Sequence, residues 1–234
     1  MWIVMASSES TTSERIAELM RLQEQRARAN GHKPGEMVPG AEIIVVRRNP
    51  ETKRRQFDLL KWGLIPNWAP DQASPHLHAR AETVAELPTF AKSFARRRCI
   101  ISTHLFTQRR TIGEPKGREF AFGNSNESDL FVAGIWDAWH VPGTETWIRT
   151  FATITTEAND LVGQIHDRMP AILSMDQLPF WFGEVEMPLH EVQALLRPFP
   201  SKGMIRWPAK SKRPPTVVEE LQPDPEPDLF GPLP

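Results

Sequence analysis

One cysteine, Cys99, stands in a chain of 234 residues, so no disulfide framework forms within the chain and no cysteine-only metal cage can be built. A single thiol fits a reducing setting, and a bacterial cytoplasm, in association with the nucleoid, is the expected location. Long apolar runs are also missing. Nothing approaches the roughly 20 residues that span a bilayer, and the stretch from Met1 to Ser10 lacks the basic flank and long apolar run of a signal peptide. Neither sign of charge dominates: Lys plus Arg number 28 against 29 for Asp plus Glu, so a polyanion partner has to be argued from local clustering.

What is present is 40% hydrophobic and 24% charged content, the composition of a globular chain able to bury a sizeable core in one large domain. The charge is uneven. From Leu87 to Gly113 there is no acidic residue, while Lys92, Arg96, Arg97, Arg98, Arg109 and Arg110 fall in that window. Such a run either lies on a solvated face or neutralises phosphates.

Ile16, Leu19, Met20 and Leu22 recur at helical spacing between Ser13 and Asn30, with Ser13 as N-cap. The β-branched run Glu42 to Val46 reads as a buried strand ending at the turn Asn49-Pro50. Further strands are expected at Gln56 to Trp62, Cys99 to Phe106, Leu130 to Trp139 and Thr146 to Thr155, and helices at Glu157 to Ile165, Met175 to Phe182 and Pro188 to Leu196. Strands in a block with helices set apart make an α+β domain rather than alternating βαβ units. Its span is expected to be residues 1–207. After Trp207, eight of the 22 prolines accompany Glu and Asp with little to fill a core, so 208–234 reads as a flexible, disordered acidic tail.

Several short blocks occur in a telling order: Val38-Pro39, Trp62-Gly63-Leu64-Ile65-Pro66-Asn67-Trp68, Ala79-Arg80-Ala81-Glu82-Thr83, Arg98-Cys99-Ile100-Ile101, Ala133-Gly134-Ile135-Trp136, Thr155-Thr156-Glu157-Ala158-Asn159 and His166-Asp167-Arg168-Met169-Pro170. Together they resemble the SOS-response-associated peptidase family, whose members bind abasic single-stranded DNA. The resemblance covers most of residues 38 to 182 and implies a strand-rich, barrel-like core with mixed or antiparallel sheet and peripheral helices. It also implies a chemistry in which an N-terminal cysteine attacks the aldehyde of the opened abasic sugar with its amine and closes a thiazolidine with its thiol. Amine and sulfur must reach one carbon, so an internal cysteine such as Cys99 cannot substitute.

Carried over residue by residue, the family pattern meets four departures. Trp2 stands at the nucleophile position, Val4 at an arginine position, Gln108 in Phe106-Thr107-Gln108 at the glutamate that moves protons, and His78 at the asparagine that orients the sugar. An amide neither takes up nor delivers a proton near neutral pH. Pro39, Arg80, Glu82, Thr155, His166 and Arg168 keep the pattern, so the losses fall on chemistry while much of the phosphate-holding set remains. Trp2 should also block removal of Met1, whose α-amine, with a reference pKa of about 7.7 to 8.0, could still form a reversible Schiff base.

The expected function is therefore binding of single-stranded or abasic-site DNA in the DNA-damage (SOS) response without the covalent or peptidase step. Arg80, Arg168 and Arg96 to Arg98 position phosphates, Trp68 stacks on a base, and His78, Gln108 and His166 line the remnant pocket. Each residue has a plainer alternative. His166 can be a core histidine, Arg80 and Arg168 can pair with Glu82 and Asp167, and Trp62 reads as core. His76 and His78 with His104 or His166 could form a three-ligand zinc site, but no supporting spacing accompanies them, and neither metal nor cofactor is expected. Two rival classes stay open: an active abasic-site enzyme using the N-terminal amine or His166, and an adaptor. The second rests on Glu226-Pro227-Asp228-Leu229-Phe230, which resembles the short peptide that docks bacterial repair proteins on the sliding clamp through Asp228, Leu229 and Phe230.

Overall fold

The computed structural model describes residues 3–33, 37–71 and 74–210, with side chains of the first helix described from residue 14 onward. Trp2 and the tail segment 211–234, including Asp228, Leu229 and Phe230, lie outside the described residues, and so does the side chain of Val4. The order of elements is α1 (Ile3–Ala29), β1 (Glu42–Arg48), β2 (Arg55–Trp62), β3 (His78–Arg80), α2 (Ala91–Arg96), β4 (Arg98–Thr103), β5 (Leu105–Arg109), β6 (Glu119–Asn124), β7 (Leu130–His140), β8 (Trp147–Glu157), β9 (Arg168–Pro170), β10 (Ile172–Leu173), α3 (Leu178–Trp181), α4 (Leu189–Ala194) and β11 (Met204–Pro208).

In β1, alternate residues are buried, with Ile43, Val45 and Arg47 turned one way and Ile44 and Val46 the other. The turn into β2 is set by Asn49, whose Oδ1 accepts from the amides of Glu51 at 2.8 Å and Thr52 at 3.0 Å. β1 pairs antiparallel with β2 and β4, β4 with β7, and β7 with β8, while β8 returns to β2 in parallel through Thr150 and Phe151. These five strands close into a mixed barrel, which leaves no edge within the ring. The α+β class and the barrel expected from the family blocks are both present.

The barrel is filled by Ile43, Val45, Leu60, Cys99, Ile101, Trp136 and Phe151. Its outer face carries a second core, where Ala133, Ile135, Ala152 and Ile154 pack beneath Phe94 of α2 and Leu178 and Trp181 of α3. Strands β7 and β8 are thus covered on both sides. Gly134 is where they crowd: an added Cβ would stand 3.0 Å from Cys99 Sγ and 3.1 Å from the Ala152 carbonyl oxygen. α1 lies over the β1–β2 hairpin, with Leu19 buried and Arg26 paired with Glu42 at 2.6 Å.

Three local expectations give way, the first being the N-cap at Ser13, which lies inside α1 because the helix begins at Ile3. The helix expected at Glu157 to Ile165 is not there. β8 runs on to Glu157, and residues 160–165 form turns, in which Asn159 Oδ1 accepts from the Val162 amide at 2.9 Å while its Nδ2 donates to the Phe199 carbonyl at 2.7 Å. An asparagine side chain that competes for backbone groups favours such turns over helix. The run from Cys99 to Phe106 divides at His104, sending β4 into the barrel and β5 into a separate sheet ordered β11-β6-β5. That sheet stacks Phe106 on Phe122 with ring centroids 5.2 Å apart. Its third strand, β11, runs to Pro208, and the Ala209 amide donates to the Glu119 carbonyl at 3.0 Å.

Candidate nucleic-acid interface

β8 orders most of the expected residues along its length. β3 lies parallel to it, with His78 registered to Thr153, Ala79 to Ile154 and Arg80 to Thr155. Ala79 is buried, so the period of two turns His78 and Arg80 together toward solvent. The same segment continues into Glu82 after the Ala81 amide donates to the Thr155 carbonyl at 2.9 Å. β9 reaches the same end of β8 in antiparallel sense, bringing Arg168 opposite Glu157.

Arg168 joins these pieces. Its Nη1 and Nη2 donate to the two carboxylate oxygens of Glu82 at 2.8 and 2.9 Å, and Nη2 also donates to the Thr155 carbonyl at 2.7 Å. The Arg168 hydrogen bonds hold the Glu82 carboxyl below the ordinary carboxylate range, against the opposing effect of its burial; its own backbone amide and the charges of Arg168 and Arg80 add to the lowering. Gln108 Nε2 donates to the Arg168 carbonyl at 3.0 Å, and the Arg168 amide donates to His166 Nδ1 at 3.0 Å. His166 therefore accepts at Nδ1 and carries its proton at Nε2, a tautomer assigned from this network. Asp167 Oδ1 stands 3.1 Å from the same Nδ1.

His78 is held differently. Its Nδ1 lies 2.8 Å from Thr153 Oγ1, whose hydroxyl is 3.3 Å from the Leu77 carbonyl, so the hydroxyl donates to Leu77 and the ring donates to the hydroxyl. One edge of the ring is open to solvent and the other is enclosed beside Trp62, with centroids 5.5 Å apart, and that enclosure lowers its pKa. Near neutral pH it is uncharged. Trp62 in turn donates Nε1 to the Leu77 carbonyl at 3.0 Å, and the turn at Pro39 abuts it through the Gly40 amide, which donates to the Trp62 carbonyl at 2.8 Å. Pro39 itself is exposed. Arg80 is exposed and makes no side-chain hydrogen bond or ion pair among the described residues.

The remaining residues sit farther along β8. Asp137 is registered to Thr150, five residues from Thr155, or about 17 Å of strand. Asp137 is buried and accepts from Arg97, from Ser93 Oγ at 3.3 Å and from the Asn67 amide at 3.1 Å. With Trp139 Nε1 donating to the Ala69 carbonyl at 2.7 Å, this anchors a turn that presents Trp68 at 62% exposure. Gly63, at φ 122°, starts the loop where a Cβ would meet Pro75 at 2.9 Å. Arg97 is engaged with Asp137 and lies over Trp136. Arg98 donates to the carbonyls of Trp181, Phe94 and Ala95, and burial lowers its pKa. Arg96, at the end of α2, is exposed.

The structure thus gathers His78, Arg80, Glu82, Gln108, Thr155, His166 and Arg168 at one end of β8, sets Trp68 and Arg97 toward Asp137, and turns Arg98 into the outer core. Two contributors escaped the sequence reading. Thr153 was legible, since it stands two residues before Thr155 on the same strand face. Asp137 had no such signal, because its importance lies in contacts 40 and 70 residues away in sequence. Among the described residues no group of three His, Cys, Asp or Glu side chains could hold a metal ion, and no helix is long and apolar enough to cross a membrane.

Comparison with known proteins finds relatives of this chain. The YoqW abasic site processing protein of Bacillus subtilis is 32% identical over 176 residues, covering 74% of this chain and 77% of that protein. The HMCES abasic site processing protein of Gallus gallus is 26% identical over 177 residues, 65% of this chain and 53% of that protein. A crystal structure of a protein from Bacteroides thetaiotaomicron superposes with a TM-score of 0.65 at 27% identity, covering 77% of this chain and 81% of that one. The family described as SOS response associated peptidase (SRAP) matches residues 4–212, and the chain belongs to it.

Proposed function

We propose that the end of β8 framed by β3 and β9 binds single-stranded DNA at an abasic sugar, as a DNA-damage function, and does so without the family's covalent or peptidase step. The observation that carries this reading is Arg80: a solvent-facing guanidinium that makes no hydrogen bond or close ion pair among the described residues and feels Glu82 only through its charge, on the same strand face as His78 and beside the Arg168–Glu82 pair. Such a group takes a phosphate with little reorganisation. Its abasic-processing relatives support the choice of lesion. His166 offers an Nε2–H donor and His78 an Nε2 acceptor at the open end, which suits the hydroxyl and ring oxygens of a sugar that has lost its base. The absence of the covalent step is supported by Gln108, whose amide is engaged with the Arg168 carbonyl and moves no proton.

Fluorescence anisotropy with a labelled single strand carrying a tetrahydrofuran analogue tests the binding. Arg80→Glu should weaken it severely, and unchanged affinity would remove the proposal. A natural abasic oligonucleotide tests the chemistry: intact-mass measurement should show no adduct, and a band trapped by borohydride would instead favour Schiff-base chemistry at the N-terminal amine.

A further inference from the structure

A second feature lies apart from that interface. On the helix-covered face of the barrel a cleft of about 490 Å³ opens between Arg15 of α1 and the segment Met175 to Phe182, floored by Val46, Ile100 and Phe131. None of its lining residues belongs to the DNA interface. Its size and apolar floor are those of a ligand or peptide site, and Met175 projects at its rim with 67% exposure. The rim is basic. Lys53, Arg54 and Arg55 are exposed at the β1–β2 turn, and Arg55 lies 4.8 Å over Phe182 while forking onto Glu184 at 2.7 Å through each nitrogen.

The sequence holds a segment of matching chemistry. From residue 214 to 234 the chain carries Glu219, Glu220, Asp224, Glu226 and Asp228 with no lysine or arginine, and Leu229-Phe230 follows directly. Seventeen residues lie between Lys210, the last described residue, and Asp228. A segment of that length reaches at most about 60 Å, enough to return across a domain of this size. We propose that Asp228-Leu229-Phe230 docks in this chain's own cleft, Leu229 and Phe230 on the apolar floor and the flanking carboxylates toward Lys53, Arg54 and Arg55. A tethered segment faces the cleft at an effective concentration that a second copy reaches only in concentrated solution. Docked in this way, the segment is withheld from other partners until one of them competes for it.

Disulfide trapping in the full chain tests the contact. Cys99 is fully buried, and burial raises its pKa, so it stays silent. In Met175→Cys/Leu229→Cys, with oxidised glutathione accepting the two electrons, an intramolecular disulfide should form at least tenfold faster than in Ile112→Cys/Leu229→Cys, where position 112 is exposed outside the cleft. Arg54→Glu or Phe230→Ser in the first background should slow it. Equal rates for the two pairs would overturn the proposal, and a disulfide-linked dimer in place of the internal bond would assign the cleft to a second copy. Equal rates together with protection of the thiol at position 229 by a purified sliding clamp would assign the segment to the clamp instead.

Discussion

Arginine is used in two ways at the two ends of β8. Near Thr150, Arg97 and the neighbouring Arg98 face acceptors inside the fold: Asp137 for one, three main-chain carbonyls for the other. Near Thr155, Arg80 faces water and Arg168 is tied to a carboxylate that is itself partly exposed. The first cluster is the denser run of charge in the sequence, yet of Arg96, Arg97 and Arg98 only Arg96 is exposed. A side chain's charge is available to a ligand only where the fold leaves it without a nearer acceptor, and strand alternation next to Thr155 does that for Arg80.

The largest expected effect breaks the buried side of this comparison. Asp137→Ala removes the acceptor of Arg97 and of the Asn67 amide together and should cost about 3 kcal/mol of stability, read from the urea midpoint. A loss under about 1 kcal/mol would mean that the pair is no more than a surface contact. On the exposed side, Arg80→Glu should leave the urea midpoint in place and cost about 2 kcal/mol of single-strand affinity, with the salt dependence of binding shallower by about one phosphate. Arg97→Gln should do the reverse, lowering stability and leaving affinity alone. Trp68→Ala comes next, at about 1.5 kcal/mol of affinity if a base stacks on it, measured in the same anisotropy assay.

How much of this was legible follows from what each residue depends on. β1 and β2 declare themselves through alternation, because they bury one face more deeply than the other, and β7 and β8 through continuous β-branched and aromatic runs, because they are covered on both faces. β3 and β9 are three residues long, too short to carry a period, and exist because β8 offers them an edge. The site residues were legible only as family blocks. Their convergence depends on the register of β3 and β9 against β8, which no local pattern encodes. The partners of the basic run stayed hidden for the same reason. Nothing adjacent to Arg97 in sequence announces Asp137, which arrives from β7 on the neighbouring strand.

Glu82 provides the finest cut between the two ends, since Arg168–Glu82 repeats the chemistry of Arg97–Asp137 in a wetter place. Because the Glu82 pKa is lowered from 4.5 on folding, the unfolded chain binds the proton more readily. The contribution is therefore complete above the unfolded value and fades as pH falls through the lower, folded one. Solvent screening keeps it near 0.5 kcal/mol, far below the Asp137 effect. Urea titrations from pH 6 down to pH 3 should show wild type losing this small advantage over Glu82→Gln, with the two curves meeting at the acid end. Glu82→Gln should also raise single-strand affinity at neutral pH, because Arg168 loses a competing anion and its guanidinium becomes a second phosphate donor beside Arg80. Unchanged affinity, with stability shifted as expected, would leave Arg168 as a brace for the Thr155 edge and assign the phosphate to Arg80 alone.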